Sequence, residues 1–200
     1  TVVNGLAHNI VKVRGGHHNT GIHGNRYIYT VLSENGKADL AYQILTTPDF
    51  PSQNYVMNSG FTTWPERQFE WEKMEGPSNS LNHPMHSGFS AYFFESLGGI
   101  KSSIEAPGFK MFTVNPEFPS QINTTSISLS SPYGNIKNSW KSESGLLTMN
   151  LEVPFNTKAK IILDKKEFES LKINDTSFNN KDEVILGSGK YTIKYQKTSK

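Results

Sequence analysis

Between Asn58 and His83 the chain reads NSGFTTWPERQFEWEKMEGPSNSLNH, the densest collection of reactive and ligand-binding side chains in the sequence. Glu66 stands between Trp64 and Trp71, with Arg67 beside it and Asn82-His83 closing the segment. A carboxylate can take or give a proton, and indole faces stack on the C–H faces of a sugar. Short polar side chains supply partners for its hydroxyls. Together these residues suit a protein that holds a sugar and performs acid–base chemistry on it. The competing reading is a surface loop whose tryptophans plug a core.

The neighbours of Glu66 divide in the same way. Arg67 can fork onto a sugar hydroxyl, or orient Glu66 and hold its carboxyl ionised as a base requires. Otherwise it makes a surface ion pair of little worth. Glu70, Glu72 and Glu75 form a charge run that reads as a solvated face. His17, His18, His23, His83 and His86 raise the question of zinc, because His83 and His86 lie three apart on one helical face. No carboxylate sits at a recognised metal spacing, and adjacent His17 and His18 point in different directions, so no metal and no cofactor is expected. His17 alone can line a sugar pocket at the start of its helix, with helix packing as the alternative.

These residues need a frame. From about Thr20 the pattern is helical, with Ile22, Tyr27, Val31 and Leu32 on the expected stripe and Asn19 or Thr20 as cap. Asn35-Gly36 stops that helix, and Lys37 to Leu45 resumes with Ala38, Ala41, Tyr42 and Leu45 on one face. The pair predicts an αα-hairpin, ended by Pro48 and Pro51. A short helical turn is expected around Tyr55–Met57. A further helix is expected from Pro84 to Leu97, with Asn82 or His83 at its start and Gly98-Gly99 at its end. Its apolar face is Met85, Phe89, Tyr92, Phe93 and Leu97.

After Ile104 the period changes. Ile127–Leu129, Leu146–Val153, Lys158–Leu163 and Tyr191–Tyr195 are short, rich in β-formers and separated by turn signals at 131–134, 156–157 and 187–189. That pattern predicts an antiparallel β-sandwich with Trp140 in its core. Charge shifts at the same place. Residues 1–100 carry 6 basic and 8 acidic side chains, and residues 101–200 carry 14 and 10. Every arginine and histidine lies in the first half. The expected division is 1–105 and 106–200, within a chain of 200 residues that is long enough to bury a core in each part.

A net charge of +2 is too small to argue for nucleic acid or an anionic membrane. No run has the length of a membrane span or the pattern of a signal peptide. There is no cysteine, which excludes disulfides and thiolate metal sites. The chain begins at Thr1 rather than at methionine, so an upstream segment is expected to have been removed.

Four blocks carry a family resemblance. HHNTGIHGNRYIYTVLSENGKADLAYQILT (17–46), FTTWPER (61–67), NSLNHPMHSGFSAYFFESLGGI (79–100) and FTVNPEFPSQI (112–122) occur in order and at the spacing of the C-terminal part of bacterial α-L-rhamnosidases. The chain resembles that family over most of residues 15–122, and the β-rich tail resembles the sandwich that follows its catalytic domain.

The resemblance implies an α + β chain in two domains: the C-terminal helices of an (α/α)6 barrel, then an antiparallel β-sandwich. It implies removal of terminal α-L-rhamnose from rhamnose-containing carbohydrate, with inversion. The family's general base closes a Thr-Thr-x-x-Glu segment, which falls on Glu66, and its sugar-contacting histidine closes Asn-x-x-Asn-His, which falls on His83. The family pattern has an aromatic just before the glutamate, where this chain has Pro65 with Trp64 one position earlier. Trp64 and Trp71 then become pocket walls. An inverting glycosidase needs a second carboxyl group as acid, roughly 6.5–9.5 Å from the base. The family's acid lies in an upstream motif that has no counterpart here, so the chain is expected to carry the base without the acid and to be inactive alone.

Few helices for a twelve-helix barrel implies apolar faces without neighbours, and self-association through them is expected. Secretion or a periplasmic location suits a glycan-degrading enzyme better than the cytoplasm. Two other functions fit parts of the pattern: a non-catalytic carbohydrate-binding module built on the sandwich, and an inactive enzyme-derived scaffold.

Overall fold

The computed structural model describes residues 1–67, 80–162, 168–178 and 183–197. The chain divides into two compact units, Thr1–Tyr92 and Phe93–Lys200.

The first unit is helical. Helix α1 spans Val2–His8, with the Thr1 hydroxyl accepting from Asn4 N–H, and runs on into a π-type turn at Asn9–Val13 that buries Ile10. Helix α2 (Ile22–Glu34) and helix α3 (Ala38–Thr46) form the expected hairpin. Gly36 turns the chain at φ 71°, and the N–H groups of Gly36 and Lys37 close onto Ser33 O and Leu32 O at 3.1 and 3.0 Å. Helix α4 (Gln53–Asn58) starts at Ser52, whose Oγ accepts from Tyr55 N–H at 2.9 Å. Ile28, Tyr29, Leu32, Ala41, Ile44, Leu45, Val56, Phe89 and Tyr92 make its core.

Two expectations about α2 are corrected. Its cap is Gly21, with no side-chain bond, because the Thr20 hydroxyl is engaged with His18 Nδ1 at 2.9 Å. Its buried face is Asn25, Ile28, Tyr29, Leu32 and Ser33, while Tyr27 and Val31 face outward. Asn25 and Tyr29 occupy the inner stripe because they are hydrogen-bonded there, so hydrophobicity alone places the face wrongly.

The run after His83 is also not one α-helix. It is a 3₁₀ helix over Pro84–Ser90, with His83 as cap and Pro84 in the first turn, and Phe93–Leu97 is a π-type turn of the second unit. The Ser87 hydroxyl donates to Pro84 O at 2.6 Å, competing with the i→i−4 ladder. Met85 is exposed, whereas Phe89, Tyr92 and Leu97 are buried.

The second unit is a β-sandwich of two sheets. Strands β1 (Ile100–Ser102), β2 (Met111–Val114), β6 (Lys158–Ile162) and β9 (Glu183–Leu186) form the smaller sheet in that order. Strands β3 (Thr124–Ser131), β4 (Gly134–Glu143), β5 (Leu146–Val153), β10 (Gly189–Lys197), β7 (Phe168–Ile173) and β8 (Thr176–Phe178) form the larger. Every described pairing is antiparallel except β2 with β6. Alternation sets the inner faces: Leu147, Met149, Leu151 and Val153 of β5 point into the core with Ile136, Trp140, Phe112, Val114 and Ile161. Trp140 is buried as expected, and its indole N–H donates to Leu97 O at 2.8 Å.

Candidate active site

Two short backbone segments, around 63–66 and 80–83, run beside one another and carry the candidate residues. His83 N–H donates to Trp64 O at 2.7 Å, and Glu66 N–H donates to Ser80 O at 2.9 Å. The Thr63 hydroxyl donates to Leu81 O at 2.5 Å. This pairing brings Trp64, Glu66 and His83 together although 17 and 19 positions separate the latter from its partners. Residues 68–79 lie outside the described residues, and with them Trp71, Glu70, Glu72 and Glu75.

Glu66 is half-buried, and Ser80 N–H reaches its Oε2 at 3.4 Å. The backbone around it is held more tightly than its side chain. His86, buried in the 3₁₀ helix, places Nδ1 2.6 Å from Pro65 O. A carbonyl only accepts, so Nδ1 carries the proton. The Pro65–Glu66 peptide is therefore bonded at both ends, its oxygen to His86 and its N–H to Ser80 O. Trp64 is half-buried, its ring edge-on to Phe89 at 4.7 Å between centroids. His83 has a buried Nε2 with no hydrogen-bond partner among the described residues. Arg67 is exposed, and among the described residues no ion pair joins it to Glu66.

His17 goes elsewhere. Its Nδ1 lies 3.1 Å from Pro51 O and its Nε2 3.3 Å from an Asp49 carboxylate oxygen, which ties the segment before α2 to the α3–α4 connection. Among the described residues no hydrogen bond or ring contact links it to Trp64, Glu66 or His83, and no group of three His, Cys, Asp or Glu side chains could hold a metal ion.

Beneath the site lies a polar network that the sequence reading missed. Asn25 Nδ2 donates to His86 O at 2.8 Å. Asn25 Oδ1 accepts from Gln53 Nε2 at 2.7 Å and from the Tyr29 hydroxyl at 3.3 Å. The Tyr29 oxygen accepts from Gln53 Nε2 at 3.2 Å and meets His18 Nε2 at 3.0 Å. Thr20 N–H donates to His18 Nδ1, so the proton of neutral His18 sits on Nε2 and points at Tyr29. Burial, then the fields of His86 and His17, lowers the His18 pKa to about 4. Burial lowers that of His86 too, partly offset by the bond to Pro65, and burial raises that of Tyr29. All these groups are neutral at pH 7. The available signal was Asn25, Tyr29 and Ser33 at helical spacing, which reads as a solvated stripe unless its burial is known.

The sequence matches two family models that abut: the bacterial α-L-rhamnosidase six-hairpin glycosidase domain over residues 1–97, and the bacterial α-L-rhamnosidase C-terminal domain over residues 99–177. An α-L-rhamnosidase of Formosa agariphila is 68% identical over 207 residues, covering 98% of this chain. The chain belongs to the bacterial α-L-rhamnosidase family.

Solved rhamnosidases share its fold. That of Dictyoglumus thermophilum superposes with a TM-score of 0.84 over 97% of the chain at 25% identity. That of Streptomyces avermitilis, solved with L-rhamnose, gives 0.79 over 96% at 22% identity. This rhamnosidase-family chain is thus the six-hairpin glycosidase helices followed by the C-terminal β-sandwich. It spans 22% of the length of the Formosa agariphila relative and 23% and 19% of the two solved chains.

Proposed function

We propose that this chain is the C-terminal part of an inverting α-L-rhamnosidase, in which Glu66 is the general base. The carboxylate of Glu66 takes a proton from a water molecule as that water attacks the anomeric carbon, on the face opposite the departing oxygen. Bond formation and cleavage on opposite faces convert the α-glycoside into β-L-rhamnose. The acid that protonates the departing oxygen comes from outside this chain. His83 contacts a sugar hydroxyl, Trp64 walls the pocket, and Arg67 stands at its margin. The ligand is a rhamnose-containing carbohydrate.

The observation that carries this reading is the paired backbone that sets Glu66 beside His83, with the peptide entering Glu66 bonded at both ends. A base must be within hydrogen-bond reach of the water it activates, and a fixed peptide fixes where its carboxylate can go. Among the described contacts, the carboxylate accepts from Ser80 N–H at Oε2. The similarity to proteins that are α-L-rhamnosidases supports the choice of sugar.

The test exchanges this chain into the Formosa agariphila α-L-rhamnosidase in place of the residues it matches. Glu66→Gln should lower turnover of an aryl α-L-rhamnoside by about 10²–10⁴-fold, the usual worth of a general base, with L-rhamnose affinity nearly unchanged. His83→Ala should weaken that affinity instead. Wild-type turnover by Glu66→Gln would remove the base assignment.

A further inference from the structure

We propose that His86 is a positioning residue for the general base: it aims Glu66 through the Pro65 carbonyl, braced from behind by the buried network of Asn25, Tyr29, Gln53 and His18. This rests on the reading of Glu66 as base. His86 itself is separated from the reacting atoms by the backbone it holds.

The geometry of the Trp64–Glu66 backbone explains why a brace is needed there. Pro65 has no N–H, so the peptide before it is held through its carbonyl, Trp64 O, which accepts from His83 N–H, and the ring fixes φ near −65°. The remaining freedom ahead of Glu66 is rotation about Pro65 ψ, which swings the Pro65 carbonyl and the Glu66 N–H together. His86 holds the carbonyl at 2.6 Å and Ser80 O holds the N–H at 2.9 Å. Both bonds restrain this one torsion, so loss of either widens its range, and the Glu66 carboxylate lies several bonds further out, where a small rotation becomes a large displacement. A misplacement of about 1 Å can cost about 10²-fold in rate.

His86 is itself located from both sides. Its ring donates to Pro65 O, and its backbone carbonyl accepts from Asn25 Nδ2 at 2.8 Å. Asn25 is oriented by Gln53 and Tyr29, and Tyr29 takes a hydrogen bond from His18. The hydrogen-bond directions agree along the whole series: His18 Nε2–H to Tyr29 O, Tyr29 O–H to Asn25 Oδ1, Asn25 N–H to His86 O, His86 Nδ1–H to Pro65 O. That requires opposite tautomers for the two buried histidines, Nε2–H in His18 and Nδ1–H in His86. A purely space-filling core has no need of that arrangement. A network with every proton assigned also resists the amide and ring flips that would let Pro65 turn.

The experiment compares Glu66→Gln, His86→Ala and His86→Asn in the exchanged enzyme, where the Asn amide can still donate to Pro65 O. We expect His86→Ala to lower kcat 10- to 100-fold with KM within about twofold, and His86→Asn to recover most of it. In the Glu66→Gln background, His86→Ala should cost nothing further, because the base it aims is gone. Equal loss in the Ala and Asn variants, a change in KM alone, or His86→Ala multiplying the Glu66→Gln loss would overturn the proposal. If Glu66→Gln is inactive while His86→Ala keeps its kcat, positioning fails and the base reading stands. If Glu66→Gln keeps its turnover, the base reading fails first. Should His86→Ala not fold, long-range ¹⁵N–¹H spectra of the wild-type imidazoles decide: Nδ1–H in His86 and Nε2–H in His18 are expected, and the reverse tautomers would overturn it.

Discussion

His86 and Pro65, 21 positions apart, are joined by a 2.6 Å hydrogen bond from ring Nδ1 to carbonyl oxygen, and the residue that follows Pro65 is Glu66. A buried imidazole thus anchors the peptide that presents the candidate base. The same residue's backbone carbonyl rests on Asn25, so one residue of helix α2 supports the backbone of the candidate site.

Removal of Asn25 should therefore be costly. Asn25→Ala leaves Gln53 Nε2, the Tyr29 hydroxyl and His86 O each short of a buried partner. The expected loss is about 2–4 kcal/mol, read as a lower urea midpoint for the first unit. Asn25→Asp with a neutral carboxyl keeps an acceptor oxygen for Gln53 and Tyr29 and an O–H that can donate to His86 O, and should cost less than Ala. A loss below about 0.5 kcal/mol for Asn25→Ala would show that the network is not needed for folding.

Stability should fall as pH drops through the weakly acidic range. The folded pKa of His18 is lowered to about 4, whereas the unfolded imidazole takes its proton near 6.5. Above pH 6.5 neither state is protonated, and the contribution of neutral His18 is fully present. Between 6.5 and about 4 only the unfolded chain binds the proton, so stability is lost progressively, by on the order of 3 kcal/mol in total. Buried His86 adds a slope of the same sign. The difference between wild type and His18→Gln, followed by urea unfolding from pH 7 to 4, isolates the effect. Parallel profiles for the two proteins would contradict it.

In the second unit the sharpest prediction is at Gly99. Its φ is +68°, and a Cβ there would lie 2.2 Å from Pro116 N and 2.4 Å from the Asn115 carbonyl carbon, both backbone atoms. Neither strain nor clash can relax cheaply. Gly99→Ala should cost about 3 kcal/mol or more in thermal or urea unfolding. Gly187→Ala, with nothing within 4 Å of the added carbon, is the matched control and should change stability by less than about 1 kcal/mol.

Several exposed apolar side chains lie on the early helical segments: Val2 is 90% exposed, Val13 64% and Tyr27 60%, with Val11 and Val31 also outward. We expect the isolated chain to self-associate through them, seen as a concentration-dependent mass in sedimentation. Val2→Ser with Val13→Ser should shift the equilibrium toward monomer. A single monomeric species at high micromolar concentration would refute this.

The parts that could be read from the residues were those governed by local rules. Asn35-Gly36 fixed the α2–α3 hairpin because a left-handed residue is needed there, and alternation along 146–153 marked β5 and its inner face. Trp140 was assigned to the core correctly. The inner face of α2 was misread because Asn25 and Tyr29 are polar and buried, and only their partners on other segments make that stable. Glu66 and Asn82-His83 stood out by residue type, and the family resemblance implied their roles. What pairs them is backbone hydrogen bonding between 64–66 and 80–83, which leaves no side-chain pattern. The role of His86 was hidden for the same reason, since its acceptor is a carbonyl that every residue possesses.

Time-resolved proton NMR of aryl α-L-rhamnoside hydrolysis by the exchanged enzyme, wild type beside Glu66→Gln, shows which anomer is released first and whether Glu66 is needed for its release. We expect β-L-rhamnose to appear first and mutarotate to the mixture, and Glu66→Gln to release almost none. Initial release of α-L-rhamnose, or unchanged release by Glu66→Gln, would contradict this.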